Sequence, residues 1–173
     1  MDPRDRLTAL LHKIPSHLLR LEDRARVGQA PPDVAPWLAA FGIPRPLVEL
    51  LTTCWPQATT DLVPFMLLAA KELTTDADVP RLLAHGLLMI GFCPNGDPLV
   101  LDLTTDGLVP GAVEHGKFAG REPEDDDPRA YHRPLARDVA TLFERLAAGL
   151  PVPRDYWAAL DFDPLAPDRE RLG

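Results

Sequence analysis

The amino-acid sequence predicts an α+β fold, an antiparallel β-sheet flanked by helices. Apolar residues recur at three- and four-residue intervals through the first third of the chain, which is the period of an amphipathic helix. Two apolar runs, LLMIGF at 87–92 and PLVLDL at 98–103, surround an Asn-Gly pair, which is typical of a β-hairpin. The helical spacing returns at 135–150, and this closing helix is expected to pack on the sheet.

The N-terminal part is predicted to be helical and is divided by proline and glycine. The predicted helices cover 5–13, 16–25, 33–41 and 47–55. Pro15 separates the first two of them, since proline cannot continue a helix interior. Asp33 is expected to cap the third, which carries Trp37 on its apolar face. Trp37 is therefore assigned to the core.

The second half of the chain is predicted to supply the sheet. VPFMLLA at 63–69 is predicted to be a short extended run. The segment 70–85 that follows is predicted to be a polar connection or a short helix. After the hairpin, LVPGAVEHG at 108–116 is expected to form a further antiparallel strand. GREPEDDDPRAYHRP at 120–134 has no apolar periodicity and is predicted to be an acidic loop.

Length and composition favour one globular domain over residues 1–173. The chain has 46% apolar and 25% charged residues, and its formal net charge of −8 disfavours binding to nucleic acid. Its apolar runs are much shorter than a membrane span, and its start has no leader pattern. We therefore expect a cytoplasmic protein that does not bind a membrane. Cys54 and Cys93 are isolated in the sequence, which argues against a disulfide framework.

Motifs that carry catalytic chemistry are absent from the sequence. Ser16 is the only serine and lies outside a GxSxG motif, and the five histidines form no HExxH pair. No glycine-rich phosphate loop occurs. The sequence therefore predicts no catalytic residue, cofactor or metal. An enzyme would need a cleft that assembles residues remote in sequence, such as Asp102 and His115.

The candidates for contact with a partner are acidic or aromatic. The acidic run comprises Glu122, Glu124, Asp125, Asp126 and Asp127. It is either a hydrated loop or a surface that mimics phosphate toward a basic partner. Asp106 in the turn after the hairpin and Trp55 are further candidates, and Trp157 stays open. For Asp97 and Asp102, a turn cap and a strand-end carboxylate are the simpler interpretations.

Two segments carry a resemblance to a known family. IGFCPNGDPLVLDL at 90–103 resembles the hairpin signature "IG...GNGD...LDL" of the SUKH superfamily, and LARDVATLFERLAAGL at 135–150 is similar to its closing helix. The resemblance covers 33–150. The signature positions are Gly91, Asn95, Gly96, Asp97 and Asp102. Both central residues of the turn, Asn95 and Gly96, are expected to adopt positive φ angles.

The resemblance implies a function as well as a fold. The superfamily comprises fungal cell-wall synthesis regulators and bacterial immunity proteins. The resemblance implies a non-enzymatic protein-binding domain that binds and neutralises a cognate protein toxin, such as a basic nuclease or deaminase domain. The alternative is an intracellular scaffold or regulator of the same fold, acting in signalling or cell-wall synthesis.

Overall fold

Short helices and strands follow one another along the chain, and together they confirm the predicted α+β class. The structure is a computed structural model that describes residues 3–21, 26–118 and 127–163. The helices are α1 (Pro3–Leu11), α2 (Ile14–Arg20), α3 (Val34–Ala40), α4 (Arg45–Thr53), α5 (Asp78–Leu83), α6 (His115–Phe118) and α7 (Val139–Ala147), with 3₁₀-helices η1 (Glu72–Thr74) and η2 (Pro128–Tyr131). The strands are β1 (Val27–Gly28), β2 (Trp55–Pro56), β3 (Thr60–Leu62), β4 (Phe65–Leu67), β5 (Leu87–Phe92), β6 (Pro98–Asp102), β7 (Val109–Val113) and β8 (His132–Pro134).

Helices α1 to α4 confirm the helices that the leucine spacing predicts, but α2 begins at Ile14, before Pro15, and ends at Arg20 rather than at 25. Helices α2 and α4 carry a proline in their first turn, where the missing N–H is not needed. Asp33 lies at the N-cap of α3, but its side chain accepts no hydrogen bond there, so this part of the prediction was wrong. The backbone of Asp33 already has helical angles (φ −80°, ψ −18°), whereas a side-chain cap requires an extended residue.

A six-stranded antiparallel sheet forms the second half of the fold, in the order β3-β4-β5-β6-β7-β8. Each strand pairs with its neighbours in sequence, so short turns suffice to connect most of them. The strands at 65–67 and 109–113 confirm the predicted extended runs. Strand β3 and the small β1–β2 sheet were not predicted, because segments of two or three residues give no periodic signal.

The hairpin of β5 and β6 is confirmed, but its turn differs from the predicted one. Gly96 has a positive φ of 88°, whereas Asn95 does not lie in the positive-φ region. The N–H of Cys93 donates to the carbonyl of Asp97 at 2.8 Å, and the N–H of Gly96 donates to the carbonyl of Cys93 at 3.0 Å. A longer turn with one left-handed glycine therefore replaces the two-residue turn.

Gly91 is required by close packing rather than by its backbone angles. A Cβ at this position would collide with the carbonyl oxygen of Met66 on β4. The pairing register of β5 with β6 also shifts between Met89 and Gly91, which marks a bulge. The first glycine of the signature is therefore explained by the approach of β4.

The segment 120–138 was only partly predicted. Residues 128–131 form η2 and residues 132–134 form β8, whereas a loop had been expected through 134. The closing helix α7 begins at Val139 rather than at 135. Asp138 is extended (φ −158°, ψ 165°), and its carboxylate accepts a hydrogen bond from the N–H of Thr141 at 2.7 Å. This capping interaction sets the start of α7.

Helix α7 lies between the two halves of the fold. It contacts α1 and α2 on the N-terminal side and β7 in the sheet. Leu142 and Phe143 are fully buried, and the ring of Phe143 meets that of Trp55 edge-on, with centroids 5.8 Å apart. One continuous set of buried apolar side chains therefore joins the helical part to the sheet.

Candidate functional site

A polar cluster lies at the end of β6, where Asp102 is held by several donors. The side chain of Asp102 is 7% exposed. Its Oδ1 accepts from Nη1 of Arg129 at 3.1 Å and its Oδ2 from Nη2 at 2.8 Å, a bidentate pair. The N–H and the hydroxyl of Thr104 also donate to Oδ1, at 2.9 and 2.7 Å. The carboxylate is therefore satisfied within the protein.

The charge of Asp102 is stabilised by this arrangement. Burial acts to raise the pKa of Asp102, because it disfavours the charged form. The hydrogen bonds from Thr104, together with the hydrogen bond and charge of Arg129, outweigh burial and hold the pKa of Asp102 below its usual value. Asp102 is therefore ionised near neutral pH at the end of the strand.

Arg129 reaches Asp102 because of the local structure of η2. The carboxylate of Asp127 accepts a hydrogen bond from the N–H of Arg129 at 2.9 Å, and Pro128 occupies the first turn of η2. The guanidinium of Arg129 also donates to the carbonyl of His85 at 3.2 Å and to the hydroxyl of Thr104 at 2.9 Å. Arg129 thus joins η2 to two connections of the sheet.

Asp127 is exposed at the end of the acidic run. Its side chain is 57% exposed, and its Oδ1 lies 3.3 Å from Nδ1 of His85. Asp127 is therefore attached to the sheet through η2 and faces solvent. The other acidic candidates lie outside the described residues: Glu122, Glu124, Asp125 and Asp126.

His132 on β8 lies beside this cluster. Its ring occupies the space that a side chain at position 111 would take, and its Nε2 is buried without a hydrogen-bond partner among the described residues. Burial lowers the pKa of His132 to about 4. The carboxylate of Asp102 opposes this change, and the guanidiniums of Arg129 and Arg133 add to it. His132 is therefore neutral near pH 7.

Asp97 connects the hairpin turn to two distant parts of the chain. It is 3% exposed. Its Oδ1 accepts from the N–H of His115 at 2.8 Å, and its Oδ2 accepts from the N–H of Tyr156 at 3.2 Å. The side-chain amide of Asn95 also donates to Oδ2, at 2.7 Å. Asp97 is thus an internal connector, with a wider role than the predicted turn cap.

Trp55 was wrongly predicted to contact a partner. Its side chain is 1% exposed, and its Nε1 donates to the carbonyl of Leu68 at 2.9 Å. A side chain that is buried in the core cannot contact a partner in the folded state. Trp157 is the exposed tryptophan, at 59%, while Trp37 was expected in the core and is partly buried against it.

Asp106 lies exposed in the turn between β6 and β7. It lines a cleft of about 630 Å³ between this turn, α1 and the start of α4. Thr104 lines the same cleft, so the cleft adjoins the polar cluster at Asp102. Asp106 and Asp127 are thus the partner candidates that the structure places at the surface.

Other chemistry-bearing groups do not converge on a site. Within residues 3–21, 26–118 and 127–163, no three His, Cys, Asp or Glu side chains are arranged to hold a metal ion. Burial, together with the carboxylates of Asp97 and Asp155, raises the pKa of Cys93, so its thiol stays protonated. No helix in the described part of the chain has the length and apolar composition needed to cross a bilayer.

The central residue of the cluster, Arg129, was missed by sequence reasoning. A usable signal was present, because Asp127-Pro128 is an N-cap followed by proline at the first helical position. The partners of Arg129 gave no such signal. His85, Asp102 and Thr104 meet it only through the order of the strands.

Comparisons with protein-family models, with curated proteins and with solved structures find no match to this chain.

Proposed function

We propose that this protein is a non-enzymatic, SUKH-like immunity domain that binds a basic cognate toxin in the cytoplasm and neutralises it. The attachment of Asp127 is the observation that carries the proposal. Asp127 ends an acidic run, faces solvent and is fixed to the sheet through Arg129 and Asp102. A charge held in place loses little freedom on binding, which favours association with a basic surface.

The state of the buried carboxylates also supports binding over catalysis. Asp97 and Asp102 accept several internal hydrogen bonds each, and Asp102 is paired with a guanidinium. A general acid or base needs a carboxyl group that exchanges protons with a substrate. These two carboxylates instead organise turns and connections.

Co-expression tests the proposal directly. The chain is produced together with the protein that the neighbouring gene encodes, and growth and complex stoichiometry are measured. We expect growth rescue and a one-to-one complex in size-exclusion chromatography. A one-to-one complex with a neighbour that is not toxic would favour the scaffold function, and no complex at all would contradict both.

Charge reversal identifies the contact surface. The test variant changes to lysine the acidic residues Glu122, Glu124, Asp125 and Asp126, and keeps Asp127, because its carboxylate caps η2. The control variant makes the same change in net charge at exposed acidic positions elsewhere, namely Asp5, Asp33, Glu144 and Asp161. We expect the test variant alone to lose rescue. The affinity of the unchanged protein should fall as salt rises from about 0.05 M to about 0.5 M, because exposed charges are screened. Equal losses in both variants would show that only net charge matters.

A further inference from the structure

The cleft beside Asp106 has the form of a binding site. It measures about 630 Å³, within the range of roughly 300–1,000 Å³ that ligand pockets occupy. Leu7 of α1, Pro46 of α4 and Leu108 supply apolar lining. An apolar side chain would gain free energy by entering such a space, because it leaves water.

One wall of the cleft is held rigidly by its own hydrogen bonds. The hydroxyl of Thr105 donates to the carbonyl of Asp102 at 2.9 Å and accepts from the N–H of Val109 at 2.9 Å. Leu108, which is buried, has a positive φ of 47°, a rare angle for a residue with a side chain. The N–H of Leu108 donates to the carbonyl of Thr105 at 3.1 Å. The wall is thus formed before any partner binds, which reduces the cost of binding.

The rim of the cleft carries two opposite charges that pair with no other described residue. Arg45 and Asp106 both line the cleft, both are exposed, and neither has a hydrogen-bond or ion-pair partner among the described residues. An occupant that carries one basic and one acidic group could pair with both. The rim is also connected to the acidic run, because Thr104 bonds to Arg129 and the N–H of Arg129 bonds to Asp127.

We propose that this cleft receives a segment of the partner protein in which an apolar side chain lies between a basic and an acidic residue. The apolar side chain enters the cleft, the basic residue pairs with Asp106, and the acidic residue pairs with Arg45. This inference rests on the proposed function, since it supplies an apolar anchor that is connected to Asp127 through Thr104 and Arg129. Buried apolar anchors within a polar rim are the usual arrangement of protein interfaces.

A blocked tripeptide, acetyl-Arg-Leu-Glu-amide, is the probe. It is titrated into the full isotope-labelled chain up to about 10 mM, since a short peptide binds weakly, and amide chemical shifts are followed. We expect saturable shifts at Leu7 and at residues 103–108. Acetyl-Gln-Leu-Gln-amide should bind about threefold more weakly for each lost ion pair, and acetyl-Arg-Ala-Glu-amide about tenfold more weakly. Shifts elsewhere, or equal binding of all three peptides, would overturn the proposal.

Reversal of the rim charges provides the matched control. Arg45→Glu and Asp106→Arg each leave two like charges on the rim, and each should weaken tripeptide binding. The double variant restores opposite charges in exchanged positions. It should therefore bind the reversed peptide, acetyl-Glu-Leu-Arg-amide. A general loss of folding would not be recovered in this way. If the single variants keep growth rescue and the double variant does not bind the reversed peptide, the proposed role of the cleft is wrong and the proposed function stands. If the tripeptide binds as expected but the neighbour forms no complex, the function is wrong and the cleft stands.

Discussion

Among single residues, Arg129 holds the candidate site together, because its guanidinium donates hydrogen bonds to His85, Asp102 and Thr104. It pairs with a carboxylate that is 7% exposed, so its removal leaves a buried charge without its ion-pair partner. We expect Arg129→Met to lower the free energy of unfolding by about 2–3 kcal/mol in urea denaturation at pH 7. Asp102→Asn in the same chain should recover part of this loss, because the unpaired charge is then absent.

An ion pair whose arginine is mostly exposed provides the control for this prediction. Arg154 lies 3.5 Å from Asp155; the side chain of Arg154 is 74% exposed, and that of Asp155 is 13% exposed. Arg154→Met should cost less than about 0.5 kcal/mol, since solvent screens the exposed guanidinium. If Arg129→Met costs no more than this control, the Arg129–Asp102 pair does not hold η2 on the sheet.

His132 is expected to make stability depend on pH. Its pKa in the folded chain is about 4, below the ordinary value of 6.5, so the unfolded chain binds a proton more readily. The contribution of His132 to the free energy of unfolding is then complete above about pH 6.5. It falls by roughly 3 kcal/mol in all as the pH is lowered toward 4. We expect His132→Leu to flatten the unfolding free energy across this window. An unchanged slope in the variant would show that other groups cause the acid sensitivity. Asp102, whose pKa is lowered, loses its contribution at still lower pH.

At the scale of elements, two aspartates at helix starts allow a matched comparison. The carboxylate of Asp138 accepts a hydrogen bond at the start of α7, whereas that of Asp33 makes none at the start of α3. Asp138→Ala should lower the free energy of unfolding by about 1 kcal/mol, and Asp33→Ala by less than about 0.5 kcal/mol. Chemical denaturation measures both. Equal costs would mean that helix-dipole effects outweigh the capping hydrogen bond.

The elements show what a sequence pattern can predict. Helices α1 to α4 and the β5–β6 hairpin were predicted because leucine spacing and an Asn-Gly pair are local signals. Strand β8 was missed, because its partner β7 lies about twenty residues earlier in the chain. Residues 132–134 alone therefore give no local signal of this pairing. Asp106 and Asp127 were found from charge alone. The burial of Trp55 depends on Phe143 and Leu68, which no local pattern relates to it.

At the scale of the whole molecule, the core and the surface have separate roles. Apolar side chains of helices and strands form one continuous core, whereas most charged side chains among the described residues face solvent. The polar cluster at Asp102 connects the two, since it joins the end of a buried strand to exposed Asp127. A rigid base beneath a charged surface suits a binding protein, because little order must be gained on association.

The continuous core predicts that the chain unfolds as one unit. Helix α7 contacts α1 and α2 as well as β7, and its Phe143 packs on Trp55, so loss of either half exposes the other. Trp37→Phe and Trp157→Phe together leave buried Trp55 as the only tryptophan, and its fluorescence then reports on the junction. We expect fluorescence and far-ultraviolet circular dichroism to give coincident urea transitions, as a single cooperative domain requires. A fluorescence transition that precedes the loss of circular dichroism would mean that the helical part separates from the sheet first, and that 1–173 is not one domain.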